Sequence, residues 1–129
     1  MSNAPKAEII GIDGLAGWRH LKLDDVGSTN AEAMQLAGEG DNGRIWVTAK
    51  SQSAGRARRG RSWDSEPGNL YASLLLVEPA PVEQMATLPL VVSLALHTAV
   101  VEACPELSER LKIKWPNDLL LDGKKLSGI

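Results

Sequence analysis

Between Ser51 and Trp63 the chain reads SQSAGRARRGRSW, and this stretch limits what the protein can be more than any other. It holds Arg56, Arg58, Arg59 and Arg61, with Gly55 before them and Gly60 among them. From Asn42 to Trp63 there are six basic residues and no acidic one, in a chain whose net charge is only -2. So much like charge in one segment repels itself unless an anion neutralises it, so the segment calls for a ligand. Glycine lets a backbone fold closely round a phosphate, and guanidinium forks match phosphate or carboxylate oxygens in pairs. A solvated basic loop, or a nucleic-acid or sorting patch, would have the same composition, and the basic run alone does not choose among them.

At 129 residues the chain is one domain or part of one, long enough to bury a real core. Hydrophobic content of 43% and charged content of 23% are those of a soluble globular protein. A pI near 5.7 argues against a chain whose main business is coating nucleic acid. The single cysteine, Cys104, has no internal partner and reads as a small buried hydrophobe in a reducing compartment. No apolar run reads as long enough to span a bilayer and no signal-peptide pattern opens the chain, so a cytoplasmic protein is expected. His20 and His97 lie far apart and build no zinc site with one cysteine, and no Ser-His-Asp arrangement is present.

Taken in order, residues 1–17 read as a disordered leader and Trp18 to Leu23 as a short strand. Ser28-Thr29-Asn30 before Ala31 to Ala37 predicts a helix start, with Glu32 placed for a capping box at Thr29. Hydroxyls and backbone N–H groups at such a start also suit a polar or anionic ligand. Arg44 to Lys50 predicts a strand with Ile45, Val47 and Ala49 on one face, leading directly into the arginine segment. Asn69 to Val77 predicts a second strand, apolar enough for burial on both faces. Residues 84–103 predict a buried helix starting near Pro89, in which His97 reads as a packed ring. Lys112 to Trp115 reads as a strand, and Leu119 to Leu126 as a hairpin turning at Asp122-Gly123. Lys114, Asp118 and Lys125 then lie around adjacent turns, where each alone is ordinary surface charge. The chain stops straight after a strand-forming segment, which suggests a C-terminal truncation.

Several segments line up with one family. Ser28-Thr29-Asn30, the loop Gln52 to Trp63 with Gly68-Asn69-Leu70-Tyr71, Lys114-Trp115-Pro116-Asn117-Asp118, and Lys125-Leu126-Ser127-Gly128-Ile129 are similar to signatures of biotin protein ligases. The resemblance covers residues 18–129. It implies an α+β fold, a mixed β-sheet backed by helices in a biotin/lipoate ligase-like catalytic domain. Only part of that domain is expected here, without a DNA-binding or a C-terminal domain.

The resemblance also implies a two-step reaction: ATP activates biotin to biotinyl-5'-AMP, and a lysine of the biotin carboxyl carrier protein of acetyl-CoA carboxylase then takes the biotinyl group. Biotin and ATP would be the small-molecule substrates, with Mg2+ as cofactor and no nucleic-acid or membrane partner. A homodimer stays open, and this chain alone is expected to have little ligase activity. By the same resemblance, Ser28 and Thr29 contact the ureido ring of biotin, Gln52 lies along the ligand and Gly55 gives close approach. Arg56 and Arg58 hold the carboxylate and the adenylate phosphate, with Arg59 and Arg61 also on the nucleotide side. Trp63 either closes over the ligand or packs in the core. Asn117 stands where the family places nucleotide-phosphate and magnesium contacts, with Asp118 in support. Lys125 meets the biotin carboxyl and the α-phosphate and, with Arg58, is the expected catalytic residue.

One departure is Ala57, where the family commonly has glycine; either it sits in an ordinary conformation or the loop is stiffer. The competing readings are a lipoate or octanoate ligase or transferase, and a non-catalytic anion-binding fragment.

Overall fold

The computed structural model describes residues 7–129. The chain folds as two compact units that divide after Pro79, where the sequence suggested one domain. The dividing segment carries Pro79 and Pro81, neither of which can donate a backbone hydrogen bond to extend a sheet or helix.

The first unit is a four-stranded sheet in the order β1 (Glu8–Ile12), β2 (Leu15–Val26), β3 (Ile45–Gln52), β4 (Tyr71–Leu75). The outer pairs are antiparallel and β2 runs parallel to β3, so the sheet is mixed as expected. Parallel neighbours need a crossover, and α1 (Thr29–Gly38) supplies it. Strand β3 alternates as its sequence predicts: Ile45, Val47 and Ala49 are buried. In register, Leu21 lies beside Val47, and Ala33 of the helix closes the cluster, with Leu23, Leu36 and Leu75 packed around it. Thr29, Ala33 and Leu36 recur at helical spacing and form the face of α1 turned to the sheet.

Two expectations are corrected here. The leader read over residues 1–17 is not one from Glu8 onward, because β1 pairs with β2 from Glu8↔Lys22 to Gly11↔Arg19. An edge strand is held by backbone pairing while its side chains stay exposed, so no apolar alternation announces it; residues 1–6 lie outside those described. Strand β4 is shorter than Asn69 to Val77 and is not buried on both faces: Tyr71 and Ser73 face inward while Ala72 is exposed.

The second unit opens with a 3-10 stretch, Val82–Thr87, that runs into α2 (Leu88–Ala103) with Pro89 in its first turn. A three-stranded antiparallel sheet follows: β5 (Leu111–Lys114), β6 (Asp118–Leu121) and β7 (Lys124–Gly128). Asp122 and Gly123 both take positive φ, the demand of a tight two-residue hairpin turn, so that prediction holds. The helix is less buried than expected. Ser93 is fully enclosed, donating to the Pro89 carbonyl at 2.7 Å, whereas Val91, Val92 and Leu94 are exposed. His97 Nε2 donates to the Leu111 carbonyl at 3.1 Å, which makes it the packed ring that was anticipated. The helical stretch Val82–Ala103, 22 residues at hydropathy 1.6, is also long and apolar enough to cross a membrane by length and composition, against the expectation that no run is. Cys104 is half-buried at the helix end.

The loop leaving α1 is fastened by Arg19, whose guanidinium grips both oxygens of Asp41 at 2.9 and 2.6 Å and also donates to the Gly43 carbonyl at 2.8 Å. That hydrogen bonding holds the Asp41 carboxyl below its ordinary pKa. A depressed carboxyl stabilises the fold above its unfolded pKa, and the stabilisation is lost as pH falls through the folded value. Asp41→Asn should therefore cost about 1–2 kcal/mol at neutral pH, and the gap to wild type should close below about pH 4 in thermal melts. A melting difference that did not change with pH would refute this role for the charge.

Candidate functional site

The last aligned pair of the parallel strands is Val26↔Gln52, and α1 begins just beyond Val26. The helix cap is Ser28, not Thr29 as expected: its hydroxyl accepts from the Ala31 N–H at 3.4 Å and its carbonyl from the Glu32 N–H at 3.1 Å. Thr29 is used differently. Its N–H donates to Gln52 Oε1 at 2.8 Å, and its hydroxyl lies 3.2 Å from the same oxygen and 2.8 Å from the Ser73 hydroxyl. Ser73 in turn donates to Asn30 Oδ1. Ser28, Thr29 and Gln52, predicted as ligand contacts from distant parts of the sequence, thus meet at one end of the sheet.

The arginine loop is anchored at its base. Ser53 N–H donates to the Val26 carbonyl at 2.9 Å, Ala54 N–H to Gly27 at 2.7 Å, and Gln52 N–H to Ser65 at 3.0 Å. Farther out, Trp63 N–H donates to Gly55 at 2.9 Å and Ala57 N–H to Arg61 at 2.7 Å, so the loop folds back on itself. Ala57 has φ -102, an ordinary extended conformation. The left-handed turn falls on Arg59 (φ 62) and Gly60 instead, which settles how alanine is accommodated. Arg56, Arg58, Arg59 and Arg61 are all exposed. Among the described residues the ion pairs join Arg19–Asp41, Lys50–Asp24, Arg110–Asp122 and Lys125–Asp118, so no carboxylate offsets Arg56, Arg59 or Arg61. Lys50 differs: Asp24, 2.6 Å away, hydrogen-bonds its ammonium and raises its pKa.

Beneath the loop lies an open cleft of about 470 Å³ lined by Gln52, Gly55, Trp63, Asp64, Ser65 and their neighbours. Trp63 is 36% exposed on its wall, so it is not core packing. Gly55 is buried, and a Cβ there would lie 2.5 Å from Ser65 Oγ and 2.7 Å from the Trp63 carbonyl. The close approach is made by the loop's own chain. Two polar residues, Ser65 in the cleft lining and Ser73 bonded to Thr29, were missed: Ser65 lay in a turn cluster and Ser73 in an apolar strand, and only three-dimensional pairing marks them.

On the second unit, Lys125 Nζ lies 3.1 Å from Asp118 Oδ1 across the β6–β7 pair. Lys114 is the register partner of Asp118 on β5, so the carboxylate stands between two lysine-bearing strands. Asn117 is buried, its side-chain N–H donating to the Ile129 carbonyl at 2.6 Å. Magnesium prefers carboxylates together with phosphate and water oxygens. Asn117 offers at most a neutral amide oxygen, Asp118 is paired with Lys125, and no group of three His, Cys, Asp or Glu occurs among the described residues. The expected magnesium contact at Asn117 does not fit this surrounding.

The end of β3 and the base of a cationic loop line one cleft, and the start of α1 is hydrogen-bonded to its wall through Gln52. The chain belongs to the biotin/lipoate A/B protein ligase family, whose sequence model matches residues 24–129. It is 48% identical over 102 residues to a biotin--[acetyl-CoA-carboxylase] ligase of Paracoccus denitrificans, covering 79% of this chain and 42% of that one. Its fold is similar to the Leishmania major biotin protein ligase in complex with biotinyl-5-AMP, with TM-score 0.74 and 30% identity, over 84% of this chain and 49% of that one. It is also similar to the Aquifex aeolicus biotin protein ligase in complex with biotin and ATP, with TM-score 0.70 and 34% identity, over 84% of this chain and 44% of that one. The chain thus spans less than half the length of these relatives.

Gly55→Ala tests the loop base. The glycine has no positive φ, so the cost is room, and the nearest obstacle besides Ser65 is backbone. Overpacking of this kind typically costs ~1–3 kcal/mol, to be read from urea unfolding. An unchanged midpoint would mean that Ser65 and Trp63 give way freely.

Proposed function

We propose that the chain is the biotin-binding part of a cytoplasmic biotin–protein ligase, which activates biotin with ATP and passes it to a lysine of a biotin carboxyl carrier protein. The observation that carries this reading is the cleft itself. Gln52, hydrogen-bonded to Thr29, lies in its wall, and the loop that carries the exposed arginines supplies Gly55 and Trp63 to its lining. Biotin is an apolar body with a polar ureido ring and a carboxylate, and such a ligand wants a few aimed polar groups and a cation. Similarity to ligases solved with biotin and biotinyl-5-AMP supports the choice of ligand.

In the first step a biotin carboxylate oxygen attacks the α-phosphorus of ATP, and pyrophosphate leaves. In the second, the acceptor amine attacks the carbonyl of the mixed anhydride, and AMP leaves. Both transition states gather negative charge, which fixed cations stabilise. Arg56 is assigned to the carboxylate, Arg58 to the adenylate phosphate, and Arg59 and Arg61 to the nucleotide. Ser28 and Thr29 are assigned to the ureido end, Trp63 to the apolar wall and Lys125 to catalysis at the α-phosphate. Association of two copies through the outer edge of β1 belongs to the same proposal.

Biotin-dependent ATP–pyrophosphate exchange, run in parallel with lipoate and octanoate, is the deciding experiment. In the full-length enzyme, exchange with biotin alone is expected; exchange with lipoate or octanoate instead would move the chain to the other branch of its family. In the full-length enzyme, Lys125→Ala should lower turnover about a hundredfold or more with little change in biotin affinity. A loss of affinity with turnover intact would remove Lys125 from catalysis.

A further inference from the structure

A continuous chain of hydrogen bonds runs through the floor of the cleft, and its direction is fixed at both ends. At one end stands the Thr29 backbone N–H, which can only donate, 2.8 Å from Gln52 Oε1. At the other stands the Trp63 carbonyl, which can only accept, 3.0 Å from Ser65 Oγ. Between them Gln52 Nε2 lies 3.0 Å from Ser65 Oγ. A serine hydroxyl has one hydrogen. Because the Trp63 carbonyl takes it, Ser65 must accept from Gln52, and that requirement turns the amide nitrogen of Gln52 toward Ser65. The Thr29 N–H independently requires the amide oxygen on the opposite side. Two constraints from separate parts of the chain therefore choose the same one of the two amide orientations, which side-chain shape alone would leave equivalent.

We propose that Ser65 is a positioning residue for ligand selection. It locks the Gln52 amide so that the second N–H of that amide, which has no partner among the described residues, is held as a fixed donor on the cleft wall. Ser65 suits this task because it is nearly enclosed, at 6% exposure, and cannot turn away. The missing Cβ of Gly55 leaves the room its hydroxyl occupies. Gln52 itself lines the cleft. A ligand carrying an acceptor oxygen beside Gln52 meets a donor already aimed, whereas a purely apolar chain leaves that N–H unsatisfied, a cost that falls on the wrong ligand. The ligand class rests on the reading of the cleft as a biotin site; the lock itself does not.

The test is a double-mutant cycle on biotin binding, followed by tryptophan fluorescence on this chain, with NMR of the Gln52 side-chain amide without ligand. Ser65→Ala should weaken biotin binding about tenfold. In a Gln52→Ala background it should add almost nothing, because its effect passes through Gln52. In the NMR spectrum of the ligand-free chain, Ser65→Ala should move the two Gln52 amide proton signals toward their free-amide positions. Additive losses, or Gln52 signals that stay in place, would overturn the proposal and leave Ser65 a packing residue. If wild type bound no biotin, the ligand reading would fall, and the ligand-free signals alone would decide whether the lock exists. Should Ser65→Ala not fold, Ser65→Cys keeps a side chain in place with a weaker acceptor and should move the same signals in the same direction.

Discussion

Strands β2 and β3 are parallel neighbours, and from this pairing the meeting of Ser28, Thr29 and Gln52 at one sheet edge follows. Parallel strands end at the same edge of a sheet, and the connection between them must pass over the sheet as a helix that starts at that edge. The residue that caps the helix and the residue that ends β3 are consequently neighbours although 24 positions apart, as Ser28 and Gln52 are here. The crevice outside the carboxyl ends of parallel strands is where open sheets of this kind take ligands. The core of Leu21, Ala33, Ile45 and Val47 holds the pairing in register. A slip of one residue would turn Val47 outward and carry Gln52 away from Thr29.

Polar groups at this edge fall into two sets. One set is joined within the protein: Thr29, Asn30, Gln52, Ser65 and Ser73 are linked by hydrogen bonds, and among the described residues no buried side-chain polar atom is left without a partner. A network tied at this many points is rigid. Arg56, Arg59 and Arg61 are the opposite. They stand in solvent on a loop whose base is tied to Val26, Gly27 and Ser65 by backbone hydrogen bonds, so the loop is aimed without these three charges being spent on carboxylates.

Much of this was legible in the chain. The alternation of Ile45, Val47 and Ala49, the helix start at Ser28-Thr29-Asn30 and the Asp122-Gly123 turn are local chemistry, and local chemistry survives into the fold. What failed was information that resides in neighbours. Strand β1 has no sequence signature because backbone pairing alone holds it. The cap moved from Thr29 to Ser28 because Gln52 and Ser73, far away in sequence, claim the Thr29 hydroxyl. Ser65 and Ser73 looked like turn and strand filler until the arginine loop and β4 brought them to Gln52 and Thr29. Composition likewise misjudged α2, since an apolar helix packed on a small sheet leaves Val91, Val92 and Leu94 outside whatever its hydropathy.

Lys125 shows how a cation can be held and still be available. Its partner Asp118 is on the adjacent strand, and their 3.1 Å contact restricts where the long side chain points. The Lys125 side chain is 44% exposed, and an ion pair in such a setting is worth only about 0–1 kcal/mol. A phosphate carries more charge than one carboxylate and more oxygens to share, so it competes with Asp118 at little cost. Asp118 is itself kept near the lysines by β-pairing to both Lys114 and Gly128, so the lysine can exchange partners while the carboxylate stays. The pair therefore orients Lys125 without neutralising its use, which a buried pair could not do, because removing either partner there strands the other charge in a medium that cannot solvate it.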